Sequence, residues 1–450
     1  MTKWHNTIQS IKGPLLIIEK SGDIAYGEIC KIKKGEEEIL GQILDVSQDK
    51  AVVQVFQSTM SLDLNTKIKF TAETAKVGVS EKMIGNIFDG MGRPKSNKTF
   101  VAEKFLDVNG KAINPSARLQ PSDFIQTGIS TIDVMSTLVR GQKLPIFSSS
   151  GLPHNELAAQ IVRQATVKGE DFVVVFAAMG ITNEEANFFL NDFKKTGALQ
   201  NSIVFLNTAD DPSVERIMTP RVALSVAEYL AFEKEKHVLA VLTDFTNYCE
   251  TLREVSSARS EVPGRRGYPG YMYTDLAANY ERAGMVKGCR GSLTQIPILT
   301  MPSGDRTHPV PDLTGYITEG QISLDQSLLK KGFIPPINPL PSLSRLMGLG
   351  IGKGKTREDH SSVKDQLYAS YAQGLEIRQI VSVVGESSLS DIDKQYLEFA
   401  KKFEEKFINQ GFNESRDITE SLNIAWNLFK LLPVQELKKL KKKQIQRYLK

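Results

Sequence analysis

The feature that most restricts the fold is a series of apolar runs that alternate with helical stretches in the middle of the chain. Three largely apolar runs lie at 172–178, 202–206 and 238–242, and stretches of helical character lie at 184–194 and 214–233. Apolar strands that do not alternate with polar residues, and that are connected by helices, are typical of a parallel sheet covered on both faces. Such sheets bind ligands at the carboxyl ends of their strands, so functional residues are expected there.

Different patterns flank this central region. The first part of the chain contains short apolar or alternating segments separated by turn residues, which predict a small β-barrel of about five strands. These segments are 15–18, 28–32, 39–46, 51–56 and 68–71. The last hundred or so residues have helical character. The sequence therefore predicts three domains: a β-barrel at 1–73, an α/β domain of nucleotide-binding type at 74–348 and a helical bundle at 349–450.

The helical region shows start and stop signals. Ser390 with Asp393 predicts a capped helix start, Gly411 is suited to a helix end, and a second helix is expected at 418–432. One buried face is predicted from Ile392, Tyr396, Phe399, Phe403 and Phe407. The lysine-rich tail at 437–450 favours a solvated or subunit-facing helix over a membrane or nucleic-acid patch.

Composition excludes several functional classes. The 56 basic and 52 acidic residues give a net charge of +4, and their mixing along the chain does not favour a nucleic-acid partner. Three widely spaced cysteines, Cys30, Cys249 and Cys289, have no metal-ligand spacing and fit a reducing compartment. The start of the chain lacks the pattern of a signal peptide. The longest apolar run, 172–179, is shorter than the roughly 20 residues of a membrane span.

A phosphate-binding loop is expected between a strand and a helix near residue 150, but its chemistry is missing. The motif G-x-x-x-x-G-K-[ST] cradles phosphates on backbone N–H groups, with a lysine for the terminal phosphates and a hydroxyl for Mg²⁺. The segment at 148–155 has Gly151 inside it, but no residue of the motif stands at its required position. Ser148 replaces the first glycine, Pro153 the second, His154 the lysine and Asn155 the hydroxyl residue. Pro153 has no N–H, and an imidazole is shorter than a lysine and mostly neutral.

Two other segments resemble parts of a nucleotide site. The run at 238–242 followed by Asp244 has the form of a Walker B strand, whose aspartate could hold Mg²⁺ indirectly. The glycine-rich segment at 350–356 ends like a phosphate loop, but Leu349 stands where the first glycine belongs and no apolar strand precedes it. A flexible connector is therefore the better interpretation of this segment.

Several longer strings identify a family resemblance. The string at 335–344, PPINPLPSLS, matches the P-[SAP]-[LIV]-[DNH]-x3-S-x-S signature of the α/β-type subunits of rotary ATPases. The strings GNIFDGMGRP at 85–94, TGISTID at 127–133, SGLPHNE at 150–156 and HPVPDLTGYITEG at 308–320 resemble V/A-type B subunits in particular. The resemblance covers nearly the whole chain, and SGLPHNE is its most specific element because it replaces the phosphate loop.

The resemblance implies a RecA-like, P-loop-NTPase-like central domain with a degenerate phosphate loop, between the barrel and the helical bundle. Catalytic relatives have Gly-Glu-Arg where this chain has Gly180, Ile181 and Thr182, so the glutamate that positions water is replaced. The arginine that such subunits supply in trans to a neighbour's ATP corresponds to Arg345, and Ser344 beside it would contact the nucleotide. No metal site and no cofactor of its own are implied, since ATP or ADP with Mg²⁺ would be bound mainly by a partner A subunit.

The resemblance also implies partners and a location. Three such chains would alternate with three catalytic A subunits around a central rotor shaft, with peripheral stalk subunits on the N-terminal domain. The chain would be cytoplasmic and linked to the membrane only through the complex. Two alternatives remain: a regulatory subunit that senses nucleotide through His154 and Asn155, and an autonomous hexameric ATPase motor, which would need the missing phosphate loop.

Overall fold

The computed structural model describes residues 3–95, 100–110, 113–166, 172–385 and 389–449. It divides into two compact units. The first unit contains Met1–Asn114 and Val173–Arg282, and the second contains Pro115–Phe172 and Ala283–Lys450. The domain boundaries expected near residues 73 and 348 stay predictions.

The strands follow one another in chain order through both units. They are β1 (Ile8–Lys12), β2 (Leu15–Glu19), β3 (Glu28–Lys34), β4 (Glu37–Val46), β5 (Lys50–Val55), β6 (Ile68–Thr74), β7 (Lys76–Val79), β8 (Ile87–Asp89), β9 (Lys104–Asp107), β10 (Arg118–Leu119), β11 (Ile146–Ser149), β12 (Phe172–Ile181), β13 (Ser202–Thr208), β14 (His237–Thr243), β15 (Gly284–Val286), β16 (Ser292–Met301), β17 (Gly320–Leu324) and β18 (Ile337–Ser344).

The α-helices follow the same order. They are α1 (His154–Gln164), α2 (Asn183–Thr196), α3 (Ser213–Glu228), α4 (Phe245–Ala258), α5 (Met272–Tyr280), α6 (Pro309–Ile317), α7 (Gln326–Lys330), α8 (Met347–Gly350), α9 (His360–Val384), α10 (Asp391–Phe403), α11 (Ile418–Phe429) and α12 (Lys442–Tyr448). Helices α3 and α10 continue into π-helical turns at Tyr229–Glu233 and Glu404–Ile408.

Residues 5–74 form a closed antiparallel sheet. Its strand order is β1-β2-β5-β4-β3-β6, and His5 just before β1 exchanges backbone hydrogen bonds with Ile68 in β6. This bridge joins the two edges, which closes the sheet and removes its exposed edges. The alternating residues that point inward, among them Leu16, Ile32 and Val53, fill a separate apolar core. The five predicted strands are confirmed, whereas β1 was missed.

The rest of the first unit contains the central apolar strands. They lie in the order β14-β12-β13-β8, with β12 parallel to β13 and β13 parallel to β8. The residues from Val173 to Met179 are almost completely buried, as expected for a strand that is covered on both faces. Helix α2 follows β12, and helix α3 follows β13, so the strand–helix alternation is confirmed. Three of the four helix ends lie within two residues of the predicted bounds.

The second unit has a mixed sheet and a helical part. In the sheet, β18-β17-β11-β16 are neighbours, β11 is parallel to both β16 and β17, and β18 is antiparallel to β17. The short strands β15 and β10 extend the sheet beyond β16. The helical part has its own apolar core, to which α9, α10 and α11 contribute most of the side chains.

The helical predictions are mostly confirmed. Ser390 and Asp393 form the capping box of α10, and the predicted face is buried from Tyr396 onward. The predicted burial of Ile392 is wrong, because this residue lies in the first turn of α10 and is 47% exposed. The helical stretch ends at Ile408, so Gly411, which has positive φ, lies beyond its end.

Candidate functional site

The β17–β18 hairpin carries the signature string and is fixed by its polar side chains. Ser342 Oγ donates to the Asn338 carbonyl at 2.6 Å and accepts from the Ser323 backbone N–H at 3.0 Å. Asn338 Nδ2 in turn donates to Asp325 Oδ2 at 2.7 Å. These bonds join the two strands and the start of α7, so the end of β18 is held in one position.

Ser344 is the last residue of β18, and its side chain points inward. Its hydroxyl donates to the Thr137 carbonyl at 2.8 Å and accepts from Gln142 Nε2 at 3.0 Å. The residue is 6% exposed. Within this chain, Ser344 therefore anchors the strand end, and its assignment as a nucleotide contact stays a prediction.

Arg345 follows directly and is exposed. Its backbone N–H donates to the Glu319 carbonyl at 2.9 Å, and its Nη1 donates to the Thr318 carbonyl at 3.2 Å. No carboxylate among the described residues forms an ion pair with it. A guanidinium has five N–H donors, so most of its hydrogen-bonding capacity is available to a ligand such as a phosphate.

The segment at 148–155, which is predicted to replace a phosphate loop, is folded onto itself. Between β11 and α1, the Leu152 N–H donates to the Ser149 carbonyl at 3.1 Å and the His154 N–H donates to the Leu152 carbonyl at 2.8 Å. Pro153 precedes α1 and has no N–H. These backbone groups would face the phosphates in a working loop, but here they are bonded within the segment or absent.

The His154 side chain takes part in the same folding back. Its Nδ1 lies 3.0 Å from the Leu152 carbonyl and 3.2 Å from Ser148 Oγ, and Ser148 is fully buried. Gly151 has positive φ, as a tight turn requires, and Asn155 lies at the second position of α1. The imidazole thus contacts residues of the segment at 148–155, whereas a lysine at this position of a phosphate loop would bind phosphate.

The segment after β12 also has a structural role. Ile181 is 3% exposed and belongs to the apolar core of the first unit. Thr182 is the N-cap of α2, and it forms a capping box with Glu185. Neither an acidic side chain for positioning water nor a cation is available from these two residues.

Asp244 lies at the carboxyl end of β14, where the Walker B pattern predicts it. Its carboxylate accepts the Thr246 N–H at 2.7 Å, which makes it the N-cap of α4, and it is 7% exposed. Across the described ranges, no group of three or more His, Cys, Asp or Glu side chains is placed to hold a metal ion. The role of Asp244 visible in this chain is therefore that of a helix cap.

The glycine-rich segment at 350–356 follows the short helix α8, not a strand. Its Gly352 N–H donates to Thr356 Oγ1, and Lys355 Nζ donates to the Leu349 carbonyl and lies 4.0 Å from Asp123. This turn is closed by its own hydrogen bonds, in keeping with its interpretation as a connector.

Three family models match the chain in succession. They are the β-barrel domain of the ATP synthase alpha/beta family at residues 8–72, the nucleotide-binding domain of the same family at 128–344, and the C-terminal domain of V and A type ATP synthase at 349–449. The chain belongs to the ATP synthase alpha/beta family, in its V/A-type branch. This family membership confirms the resemblance and the predicted fold class.

Individual members of this family are similar over the full length. The V-type ATP synthase beta chain from two strains of Thermus thermophilus is 58% identical over 460 aligned positions, which cover 100% of this chain and 96% of the relative. A solved structure described as a unique ATP synthase subunit, NeqB, from Nanoarcheaum equitans is 43% identical. It has a TM-score of 0.76 and covers 93% of this chain and 100% of its own.

Sequence reasoning missed the side chains that bind Glu319, the residue whose carbonyl accepts the Arg345 N–H. Lys143 and Glu319 form an ion pair at 2.7 Å, and Gln142 Nε2 donates to the Glu319 carbonyl at 3.2 Å. These residues are 176 or more positions apart, so spacing along the chain gives no signal for the pairing. Gln142 and Lys143 lie shortly before β11, and their residue types alone did not indicate that they bind Glu319.

Proposed function

We propose that the chain is the non-catalytic B-type subunit of a V/A-type rotary ATPase, and that it supplies Arg345 in trans to ATP on a catalytic A subunit. The observation that carries this proposal is a contrast between two places in the second unit. At 148–155, the Leu152 and His154 N–H groups are bonded within the segment, Pro153 has no N–H, and the His154 imidazole lies beside Ser148. At the end of β18, a guanidinium is exposed on a fixed hairpin and, among the described residues, has no carboxylate partner.

Arg345 would act on the charge that develops during phosphoryl transfer. Charge spreads over the transferring oxygens in the transition state, and a fixed guanidinium lowers that barrier. Asp244 caps α4 and Asn155 stands where the hydroxyl ligand of Mg²⁺ would be, and both features support a Mg²⁺ site that is held mainly by another chain. ATP or ADP with Mg²⁺ would therefore be bound mainly by the A subunit.

Supplying the arginine from a second subunit makes cleavage depend on how closely the interface shuts. Three of these chains would alternate with three A subunits around a rotor shaft, so that interface closure is coupled to rotation and to ion transport during ATP hydrolysis or synthesis. The N-terminal barrel would contact peripheral stalk subunits. No helix among the described residues is long and apolar enough to cross a membrane. We propose a cytoplasmic head that is peripheral to the membrane.

A second candidate is a regulatory subunit that senses nucleotide at the degenerate loop. It would need the loop at 148–155 to open, because the His154 imidazole occupies the place of the lysine. Calorimetric titration of the isolated chain with Mg-ATP separates the two candidates, since the non-catalytic subunit is expected to give no saturable heat. An autonomous hexameric motor is disfavoured by the same loop.

ATP turnover by the purified chain tests the proposal. The isolated, monodisperse chain is expected to have no turnover above a mock-purified control, and ATPase activity is expected only after reconstitution with an A-type subunit. His154→Lys alone should not create turnover, because groups that act as a unit cannot be restored singly. Steady hydrolysis by the isolated parent chain would overturn the non-catalytic assignment.

A further inference from the structure

Glu319 lies opposite Arg345, yet the two do not form an ion pair. In the antiparallel register of β17 and β18, Gly320 pairs with Ser344, and the next pair outward is Glu319 with Arg345. Oppositely charged residues at directly opposed positions normally attract each other across a ladder. A carboxylate at this position would be expected to take up the guanidinium in cis.

The Glu319 carboxylate is held instead by Lys143. Its Oε1 lies 2.7 Å from Lys143 Nζ, and its Oε2 accepts the Lys143 backbone N–H at 3.0 Å. The Glu319 N–H donates back to the Lys143 carbonyl at 3.2 Å. Both carboxylate oxygens are therefore bonded to Lys143, three residues before β11, and neither forms an ion pair with Arg345.

Burial makes this arrangement persistent. The Lys143 side chain is 6% exposed, so its ammonium is poorly hydrated, and loss of the glutamate would leave a buried charge. The Arg345 guanidinium, by contrast, is exposed and bonded to one neutral carbonyl, a bond that a phosphate could replace at low cost. Glu319 therefore gains more from Lys143 than from Arg345.

We propose that Lys143 is a positioning residue that sequesters Glu319 and so prevents Glu319 from neutralising Arg345 in cis. This inference rests on the proposed function of Arg345 and adds a reason why the arginine remains available to the neighbouring subunit. A carboxylate bound to the guanidinium would occupy the same N–H fork that phosphoryl oxygens require. Lys143 would thus act through Glu319 and not on the reacting atoms themselves.

A suppressor experiment in the reconstituted complex tests this relation. Lys143→Met frees Glu319 to bind Arg345, so kcat for ATP is expected to fall about tenfold while KM changes little. Adding Glu319→Gln to this variant removes the competing carboxylate and is expected to restore kcat to within about threefold of the parent. If Lys143→Met does not assemble, Lys143→Gln, which keeps a donor without the charge, replaces it.

Lys331→Met is the matched control. Lys331 is likewise a lysine of the second unit that pairs with a glutamate, since it lies 3.2 Å from the buried Glu404, but it is 42% exposed and the pair lies in the helical part. Its removal should leave kcat unchanged, even if the thermal midpoint falls. Native mass measurement confirms that every variant is assembled before its rate is compared.

The outcomes separate this inference from the proposed function. If Arg345→Ala abolishes turnover but Lys143→Met has the parent's kcat, the role of Lys143 is wrong and the finger remains. If Lys143→Met is slow and Glu319→Gln does not restore it, the sequestering role is also wrong. If Arg345→Ala itself turns over normally, the proposed function fails, whatever the Lys143 variants do.

Discussion

Two arginines near the end of β18 differ in their partners. Arg345 has one hydrogen bond to a neutral carbonyl, whereas Arg357 binds Asp359 through Nε at 2.6 Å and Nη2 at 2.9 Å. Arg357 also donates to Asn423 and lies over the Tyr448 ring, 4.6 Å from its centroid. A guanidinium whose N–H groups are already hydrogen-bonded in this way stabilises the packing of the helical part. Arg345 is therefore the better candidate for a ligand in trans.

A pH dependence is expected from His360, which adjoins the same cluster. Burial lowers the pKa of its imidazole to about 4, and its two nitrogens lie near Thr356 Oγ1 and the Val134 carbonyl. The unfolded chain, with a histidine pKa of about 6.5, binds the proton more readily, so this stabilisation is complete above pH 6.5 and is lost as the pH falls toward 4.

Between pH 7 and pH 5, the parent is expected to lose about 2 kcal/mol more unfolding free energy than His360→Gln. Urea unfolding followed by Trp426 fluorescence, in chains that carry Trp4→Phe, measures this difference, since Trp426 donates to Asp359 beside His360. Equal pH dependence in the two chains would show that His360 does not titrate in this way.

Lys355 of the glycine-rich segment is expected to have little effect. Its side chain is about one-third exposed, and its bond is to a backbone carbonyl of its own turn. Lys355→Ala should change turnover of the assembled complex by less than about twofold, well under 1 kcal/mol in the barrier. Loss of nearly all activity in a normally assembled complex would mean that this lysine binds phosphate.

At the scale of secondary-structure elements, the β17–β18 hairpin depends on Gly320. This residue has φ +133°, and a Cβ atom there would lie 2.0 Å from the Leu343 carbonyl oxygen. Gly320→Ala is expected to lower the unfolding free energy by about 2–4 kcal/mol and to displace Arg345. The control is Gly315→Ala inside α6, where no atom lies within 4 Å and alanine should be neutral or stabilise by up to about 1 kcal/mol. Thermal unfolding compares them, and equal midpoints would contradict this account of the hairpin.

Elements with a continuous or periodic apolar pattern were predictable from the sequence, whereas contacts between segments far apart in the chain were not. The buried runs of β12, β13 and β14 and the capping box of α10 were visible as local patterns, because burial and capping act over a few residues. Ile392 followed the same periodicity, but its position in the first turn of α10 leaves it exposed, so its burial was wrongly predicted.

The candidate site was predictable in its residues but not in its geometry. The missing chemistry at 148–155 was visible from residue types alone. The folding back of His154 and the Lys143–Glu319 pair depend on where distant segments meet, which single-sequence patterns do not determine. The strand β1 was missed because its five residues, IQSIK, mix polar and apolar side chains and only Ile8 is buried. Its pairing with β2 depends on the closure of the barrel, which the local pattern does not indicate.

At the scale of the whole molecule, the chain matches three domain models of its family, whereas its segment at 148–155 lacks the residues of the phosphate-loop motif. The Thermus thermophilus relatives align with 100% of this chain, so the segment at 148–155 lies within a sequence that otherwise follows the family. The positions that catalysis would use instead cap helices or fill the core, as Thr182, Asp244 and Ile181 do. A chain built in this way is expected to contribute to catalysis from the interface with another subunit.

Single-site turnover of the reconstituted complex tests this claim most directly. With ATP below the concentration of sites, Arg345→Ala is expected to slow cleavage by roughly 10³-fold or more, while assembly is retained and ATP binding is only modestly weakened. Arg345→Lys should also be slow, because an ammonium cannot copy the planar fork. Arg357→Lys is the matched control and should cleave at close to the parent's rate. Turnover by Arg345→Ala within a few-fold of the parent, about 1 kcal/mol or less in the barrier, would contradict the account.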